Sequence, residues 1–365
     1  MKGAWGILLI LLAGGEVRAQ NAPAMPLDTG KQIFDAACNG CHGPGGKGQP
    51  QTTLGFEPPD TFPDFTDCNG SSRERVADWR ATIHEGGSPR GFSEIMPSFA
   101  EALTREQIGK VADYLRSLCS EPAWPRGELN LPRGFLTEKA FPEDEWVLST
   151  SATRRTVGNE LSYEKRFGAK TQLELAFPAN FAKRENKDWI GGIGDFVIGL
   201  KRVLAFGQNT ILSVQGEVAA PTGNRQQGLG AGLTTFETFA AFGQILPGDS
   251  FFQFQGGFEL PVSTENVSSA AFGHFNFGKT LKANKGWGRE WIPMVEFAAD
   301  RDLESGAKIN WDIAPQMQVA LNKRQHIRAS AGYQIPLNNT SGRSKQVVFY
   351  ILWDWFDGGI RDGWK

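Results

Sequence analysis

From Trp146 to the C terminus, polar and apolar residues alternate with a period of two, in segments longer than those of most soluble sheets. In Phe252–Leu260, one face carries Phe252, Phe254, Phe258 and Leu260, and the other Gln253, Gln255 and Glu259. That spacing predicts a strand with one apolar and one polar side. The rule repeats: Leu173, Leu175 and Phe177 oppose Gln172 and Glu174, and Leu212, Val214 and Val218 oppose Ser213, Gln215 and Glu217. Near the end, Val347, Phe349, Ile351, Trp353 and Trp355 fall on one side of a final strand.

Turn-like clusters such as Pro247-Gly248-Asp249 and Asn338-Asn339-Thr340 divide this region into about twelve strands of roughly 9 to 13 residues, the pattern of an antiparallel outer-membrane β-barrel. A soluble sandwich also alternates, but its strands usually run to about 5 or 6 residues. Trp287, Trp291, Tyr333, Trp353 and Trp355 gather near segment ends, where interfacial aromatic girdles belong. The chain closes on Trp364-Lys365 rather than on an aromatic ending its last strand.

The first third is different material. Cys38-Asn39-Gly40-Cys41-His42 is a C-x-x-C-H run, which reads as a c-type haem attachment site. Two thiols three positions apart can each form a thioether, and the adjoining imidazole can face the iron. An iron that shuttles electrons needs a sixth ligand, commonly Met. Met96 fits, because Pro97 forbids helix and pushes Met96 toward extended backbone, freeing its thioether to point inward. His84 is the rival ligand. Thr104-Arg105-Glu106-Gln107 is a capping box that starts a closing helix, whose apolar face is Ile108, Val111, Ala112, Leu115 and Leu118.

From Leu27 to Cys119 the chain resembles a class I cytochrome c, in its N-terminal helix, attachment run, middle helix, Met-Pro loop and C-terminal helix. The resemblance implies an all-α fold around one covalently attached haem c, with thioethers at Cys38 and Cys41 and His42 and Met96 as axial ligands. Cys68 and Cys119 are two thiols beyond that pattern. In an exported protein a disulfide between them is expected, contributing about 4 kcal/mol in the chain-entropy model; free buried thiols are the alternative.

Export is read from Met1-Lys2, the apolar stretch Ala4 to Ala13 and the small-residue pattern Val17-Arg18-Ala19, which predict a signal peptide over 1–19. A stretch of about ten apolar residues is too short to cross a bilayer, which takes roughly 20. The cytochrome domain is then expected over 20–120, a Pro-rich linker over 121–145, and the barrel over 146–365. Proline at the linker's density favours extended chain, either a semi-rigid spacer or a segment laid against a surface.

Gly191 to Lys201 and Ala219-Ala220-Pro221-Thr222-Gly223 resemble segments of outer-membrane barrels associated with aromatic-compound degradation, which implies a barrel and little about cargo. Together the halves resemble a porin-cytochrome fusion. A globule of roughly 95 residues has a radius of gyration near 12 Å, and wide channels open only at about 16 strands. The haem domain is therefore expected at a mouth of the barrel. One haem there cannot cross the roughly 25 Å apolar band alone.

The leading expectation is a non-catalytic electron carrier at the inner face of the outer membrane, which the barrel either only tethers or joins to an outside donor or acceptor as part of a conduit, partnered by other redox proteins of the periplasm and by outer-membrane lipid. A solute pore regulated by a cytochrome is one alternative, and a catalytic haem with an open sixth position is another. Net charge is -2, and between Pro26 and Ser120 there are 13 acidic against 9 basic residues, which slightly favours a basic redox partner. No basic nucleic-acid patch, Ser-His-Asp set or phosphate-cradling loop stands out. His274 and His326, on polar strand faces, read as ordinary lumen or loop residues.

Overall fold

The computed structural model describes residues 27–48, 63–185, 188–265, 267–282 and 290–355. The signal-peptide expectation, Trp287 and the Trp364-Lys365 ending lie outside the described residues.

The N-terminal part is helical. Helix α1 (Gly30–Ala37) opens on a Thr29–Gln32 capping box and buries Ile33 and Phe34. Helix α2 (Asn39–His42) holds most of the attachment run, and α3 (Cys68–Ser71) is a single turn. Among the described residues, α4 (Val76–Glu85) and α5 (Arg105–Leu118) are the remaining α-helices. The Thr104–Gln107 box starts α5, which buries Ile108, Val111, Ala112 and Leu115 against α1. Gly30 makes that crossing possible: a Cβ there would stand 2.1 Å from the Lys110 carbonyl oxygen.

The structure joins Cys68 and Cys119 in a disulfide across 51 residues of sequence. Replacing both by Ser is expected to cost this domain about 4 kcal/mol, read as a lower urea midpoint of its helical signal.

The C-terminal part is one closed sheet. Its strands are β1 (Glu145–Ala152), β2 (Thr156–Phe167), β3 (Thr171–Lys183), β4 (Trp189–Ile193), β5 (Phe196–Phe206), β6 (Thr210–Ala220) and β7 (Thr235–Leu246). They continue as β8 (Ser250–Pro261), β9 (Ala270–Lys279), β10 (Leu281–Lys282), β11 (Glu290–Asp302), β12 (Asn310–Ala320), β13 (Ile327–Pro336) and β14 (Gln346–Asp354). Both β4 and β5 pair with β3, and both β9 and β10 with β11, so fourteen pieces make a barrel of twelve antiparallel staves. β1 pairs with β14 and closes it.

The alternation decides what faces where. Leu148, Leu161, Phe177, Ile198, Leu200 and Phe258 are exposed on the outside, whereas Gln172, Gln215, Gln253 and Gln318 are buried inside. An apolar exterior over a polar interior is the arrangement a lipid bilayer selects. At the mouth where β1 begins and β14 ends, Trp146 and Tyr163 pack at 4.6 Å, and Tyr163 stacks on Trp355.

The Pro-rich segment does not merely link. Residues 129–143 run inside the barrel, where Leu129, Leu131, Ala140 and Phe141 are buried against Val203, Ile211, Phe251 and Ile292. A chain without helix or strand must find partners for its backbone polar groups, and the polar strand faces supply them. Gln253 Nε2 donates to the Pro132 carbonyl at 2.7 Å, the Glu138 amide donates to Gln255 Oε1 at 2.9 Å, and the Glu143 amide to Gln172 Oε1 at 2.7 Å. Glu296 does most: its carboxylate accepts from the amides of Phe135, Leu136 and Thr137 at 2.7 to 3.0 Å and from Gln316 Nε2. Gly134 lets the backbone come that close, since a Cβ there would lie 2.3 Å from Glu296 Oε1.

The helical domain sits on the mouth where β1 begins. Arg73 pairs with buried Asp144, and Arg75 Nη2 lies 2.8 Å from Glu290 Oε1. Arg324, in the turn 321–326, donates to the Gly91 carbonyl and lies over Phe92. Turns 168–170, 207–209, 247–249 and 321–326 open on this mouth together with the connection 280–289, whereas loops 221–234, 262–269, 303–309 and 337–345 belong to the other together with the turn 153–155. Breaking a buried ion pair from one side costs about 3 to 5 kcal/mol. Arg73→Ala is therefore expected to loosen the domain from the barrel, seen as faster protease cleavage between residues 119 and 127 with barrel mobility on gels unchanged.

Candidate functional site

The attachment run is folded as one helical turn. The amides of Cys41 and His42 both donate to the Cys38 carbonyl, at 3.1 and 2.9 Å. Residues three apart on such a turn share a face, so both sulfurs address the same space while His42 follows directly. Gly43, at φ 73°, ends the turn with backbone that other residues rarely adopt. Gly46, at φ +73°, packs under Leu118 and Phe65.

Met96 is held from the backbone. The Gly87 amide donates to the Met96 carbonyl at 3.0 Å, the Phe99 amide to the Ile83 carbonyl, and Ser98 Oγ to the His84 carbonyl. Cβ atoms on Gly86 or Gly87 would press on this loop, the second at 2.1 Å from the Ser93 carbonyl oxygen. The pair Gly86-Gly87 thus places Met96, and it carries no signal in hydrophobic periodicity. Two adjacent glycines after a helix are its only mark in the sequence.

Cys38, Cys41, His42 and Met96 line one mainly apolar cavity of about 450 Å³, together with Phe65 and Trp79. His84 is not among its lining residues. The size falls within the roughly 300 to 1,000 Å³ of small-molecule and cofactor sites. Burial lowers His42 to about 4, so its imidazole is neutral at pH 7, the form that ligates metal. Burial pushes the Cys38 thiol up to about 11, and the neighbouring Cys41 adds to this. Two free thiols, a neutral imidazole and a thioether around an apolar cavity fit a covalently attached haem.

The cytochrome c family model matches residues 27–119. Residues 27–119 are a cytochrome c domain. A domain of this family implies covalently bound haem c and electron transfer. Comparison with curated proteins finds no match. Among solved structures, the chain is similar to an outer-membrane channel (COG4313) from Pseudomonas putida F1, at 11% identity and a TM-score of 0.42, over 61% of this chain and 99% of that one. It is similar also to the KdgM porin in complex with disordered oligogalacturonate, at 7% identity and a TM-score of 0.38, over 57% and 98%. The beta domain of the Bordetella autotransporter BrkA gives 12% identity and a TM-score of 0.39, over 58% and 98%. At these scores the likenesses add nothing to the closed barrel already described.

One acid in the cytochrome domain anchors its charged face. Burial alone would raise Asp78, but Arg75 and Arg90 overcome it and hold the carboxyl below its ordinary range. A lowered carboxylate stabilises the fold at every pH above the ordinary Asp value, and that contribution is lost only as pH falls through the lowered one. The stability difference between the wild type and Asp78→Asn is therefore expected to be constant from pH 7 down to about 4, the ordinary Asp value, and to shrink below it. Paired denaturant titrations across that range check this; a difference that fades by pH 6 would contradict it.

Proposed function

We propose that this protein is an electron carrier fixed in the outer membrane, with its cytochrome c domain on the periplasmic mouth of the barrel. The observation that carries the reading is the convergence of Cys38, Cys41, His42 and Met96 on one cavity. Haem c, when bound, supplies an iron that takes up and gives up one electron. The protein's part would be to hold it: Cys38 and Cys41 through thioethers, His42 and Met96 as ligands of the iron, with Phe65 and Trp79 lining the same cavity. With Met96 as a ligand the iron would keep no position open for substrate, which favours transfer over catalysis.

Outer-membrane placement is supported by the even number of antiparallel strands and the apolar exterior. Orientation is supported by the connections at the mouth the domain covers, which apart from 280–289 are short, since short turns are periplasmic in such barrels. Its partners are then other redox proteins on that side, and the acidic excess of the domain favours a basic one. The lumen segment speaks against the rival reading of an open solute pore.

The test is spectroscopic. The oxidised protein is expected to show the absorption band of Met-to-ferric-iron coordination and to lose it in Met96→Ala; absence from the wild type would sink the carrier reading. Reconstitution in sealed vesicles with a trapped redox dye and an impermeant reductant outside separates a tethered carrier, in which the dye stays oxidised, from a conduit, in which it is reduced.

A further inference from the structure

A row of acids winds through the lumen. Strand register sets Asp354 opposite Glu145, Glu145 opposite Glu164, and Glu164 opposite Glu174. It continues through Gly199 to Glu217, then Glu237, then Glu259. Seven of these eight aligned positions on adjacent strands are carboxylic, all on the inward face. Like charges set directly opposite destabilise a sheet, a cost that Arg133 and Lys139 of the lumen segment offset at Glu145 and Glu164.

Because strands tilt in a barrel, a row perpendicular to them climbs. Asp354 and Glu145 stand at the cytochrome-side ends of β14 and β1. Glu164 lies three residues from that end of β2, at Phe167, and Glu174 three from Thr171 of β3. Glu217 is seven residues from Thr210, and Glu259 nine from Ser250 and two from the far end of β8. The row therefore runs from the mouth under the cytochrome domain to the opposite mouth.

The one gap is bridged. Gly199 has no side chain, and a Cβ there would crowd Glu217, Gln215 and Glu174. In that space Gln215 Nε2 donates to Glu174 Oε2 at 2.8 Å and to Glu217 Oε1 at 2.6 Å. Lower down, carboxyl oxygens of Glu164, Glu174 and the segment's Glu138 lie within 4.8 Å of one another, as do those of Glu143, Glu145 and Asp354.

Among the described residues, the buried polar atoms at the row without a hydrogen bond include Glu138 Oε2 and Gln215 Oε1 and two more. Lys201 Nζ, on a residue 1% exposed, has no hydrogen-bond partner and stands 3.7 Å from Glu138 Oε2; Asp354 Oδ1, on a residue 4% exposed, has none either. Among the described residues the fixed cations facing the row, Arg133, Lys139, Lys201 and, at Asp354, Arg328, are fewer than its carboxyl groups. Carboxyl groups in such excess can take up protons, and a proton passes between neighbouring carboxyls without a wide pore.

We propose that the carboxyl row is a proton path between the two mouths of a barrel otherwise closed to solutes. Ionisable groups inside a membrane protein commonly mark such relays. Each transfer moves a proton from one carboxyl group to the next carboxylate; across Gly199, where the Gln215 amide only donates, Glu174 and Glu217 exchange it directly in the space that the missing side chain leaves, so no other reactant is needed. The inference does not depend on the haem reading.

The experiment uses the full haem-loaded chain in vesicles with a trapped pH dye, an acid step outside, and valinomycin with potassium to hold the potential at zero. Acidification is expected to be about ten-fold or more faster than in protein-free vesicles, as for a proton relay, with no matching entry of sodium into vesicles holding a sodium dye. Glu174→Gln with Glu217→Gln should remove most of that rate, and so should Glu237→Gln alone, should the double variant fail to fold. Glu160→Gln, in the lumen but off the row, should leave it unchanged. Heat-modifiable gel mobility and the haem spectrum report folding. A wild-type rate equal to that of protein-free vesicles, a rate untouched in the folded row variants, or sodium entry matching the protons would each overturn the proposal.

Discussion

Replacing Cys38 and Cys41 together by Ser is expected to abolish covalent haem, so that the peroxidase stain of the denatured band disappears while the barrel keeps its heat-modifiable mobility. The effect is all-or-none because both thioethers are built from one helical turn: the amides of Cys41 and His42 fold back on the Cys38 carbonyl and set the two sulfurs toward the same cavity. Met96→Ala separates attachment from ligation. It should retain the stain, lose the Met-to-iron band and lower the reduction potential by on the order of 0.1 V or more, because a Met axial ligand raises it. A Met96→Ala protein with unchanged spectrum and potential would mean that another group, such as His84, holds the sixth position.

The second large effect concerns the lumen. Exchanging residues 129–141 for a Gly/Ser chain of equal length should turn a barrel that passes almost no ionic current into one with discrete conductance steps in planar bilayers. The native segment stays in place through contacts that such a chain lacks: Leu129, Leu131 and Phe141 in apolar pockets, and the Tyr350 hydroxyl donating to the Arg133 carbonyl at 2.6 Å. Glu296→Leu is a gentler form of the same test. It strips three amides of their acceptor, and each buried donor left without one costs about 1 to 3 kcal/mol, so intermittent opening is expected. Large steps from the wild type would contradict a closed lumen and return the solute-pore reading to the front.

Much of this was legible in the sequence because it rests on short-range periodicity and local chemistry. Period-two alternation marked which strand faces meet lipid, and Phe252, Phe254 and Phe258 do face outward while Gln253 and Gln255 are buried. The capping boxes at Thr29 and Thr104 are local, and so are the attachment run and the effect of Pro97 on Met96. The twelve-strand count followed from segment length and turn residues. Gly86-Gly87 left only a faint mark, because their role is to give room to a loop ten residues away.

What the sequence by itself determined is the material of each half: a helical domain with the ligands of a haem, and strands with one greasy and one polar side. What only the tertiary structure decided is where 129–143 goes, what Glu296 is for, and how the acids align. Proline density tells that a segment is extended but not what surrounds it, whereas Gln253, Gln255 and Glu296 reach its backbone carbonyls and amides across more than a hundred residues of chain. The row from Asp354 to Glu259 exists only because barrel closure and shear fix the register of eight neighbouring strands at once. No local pattern encodes a register that is set by closing a ring.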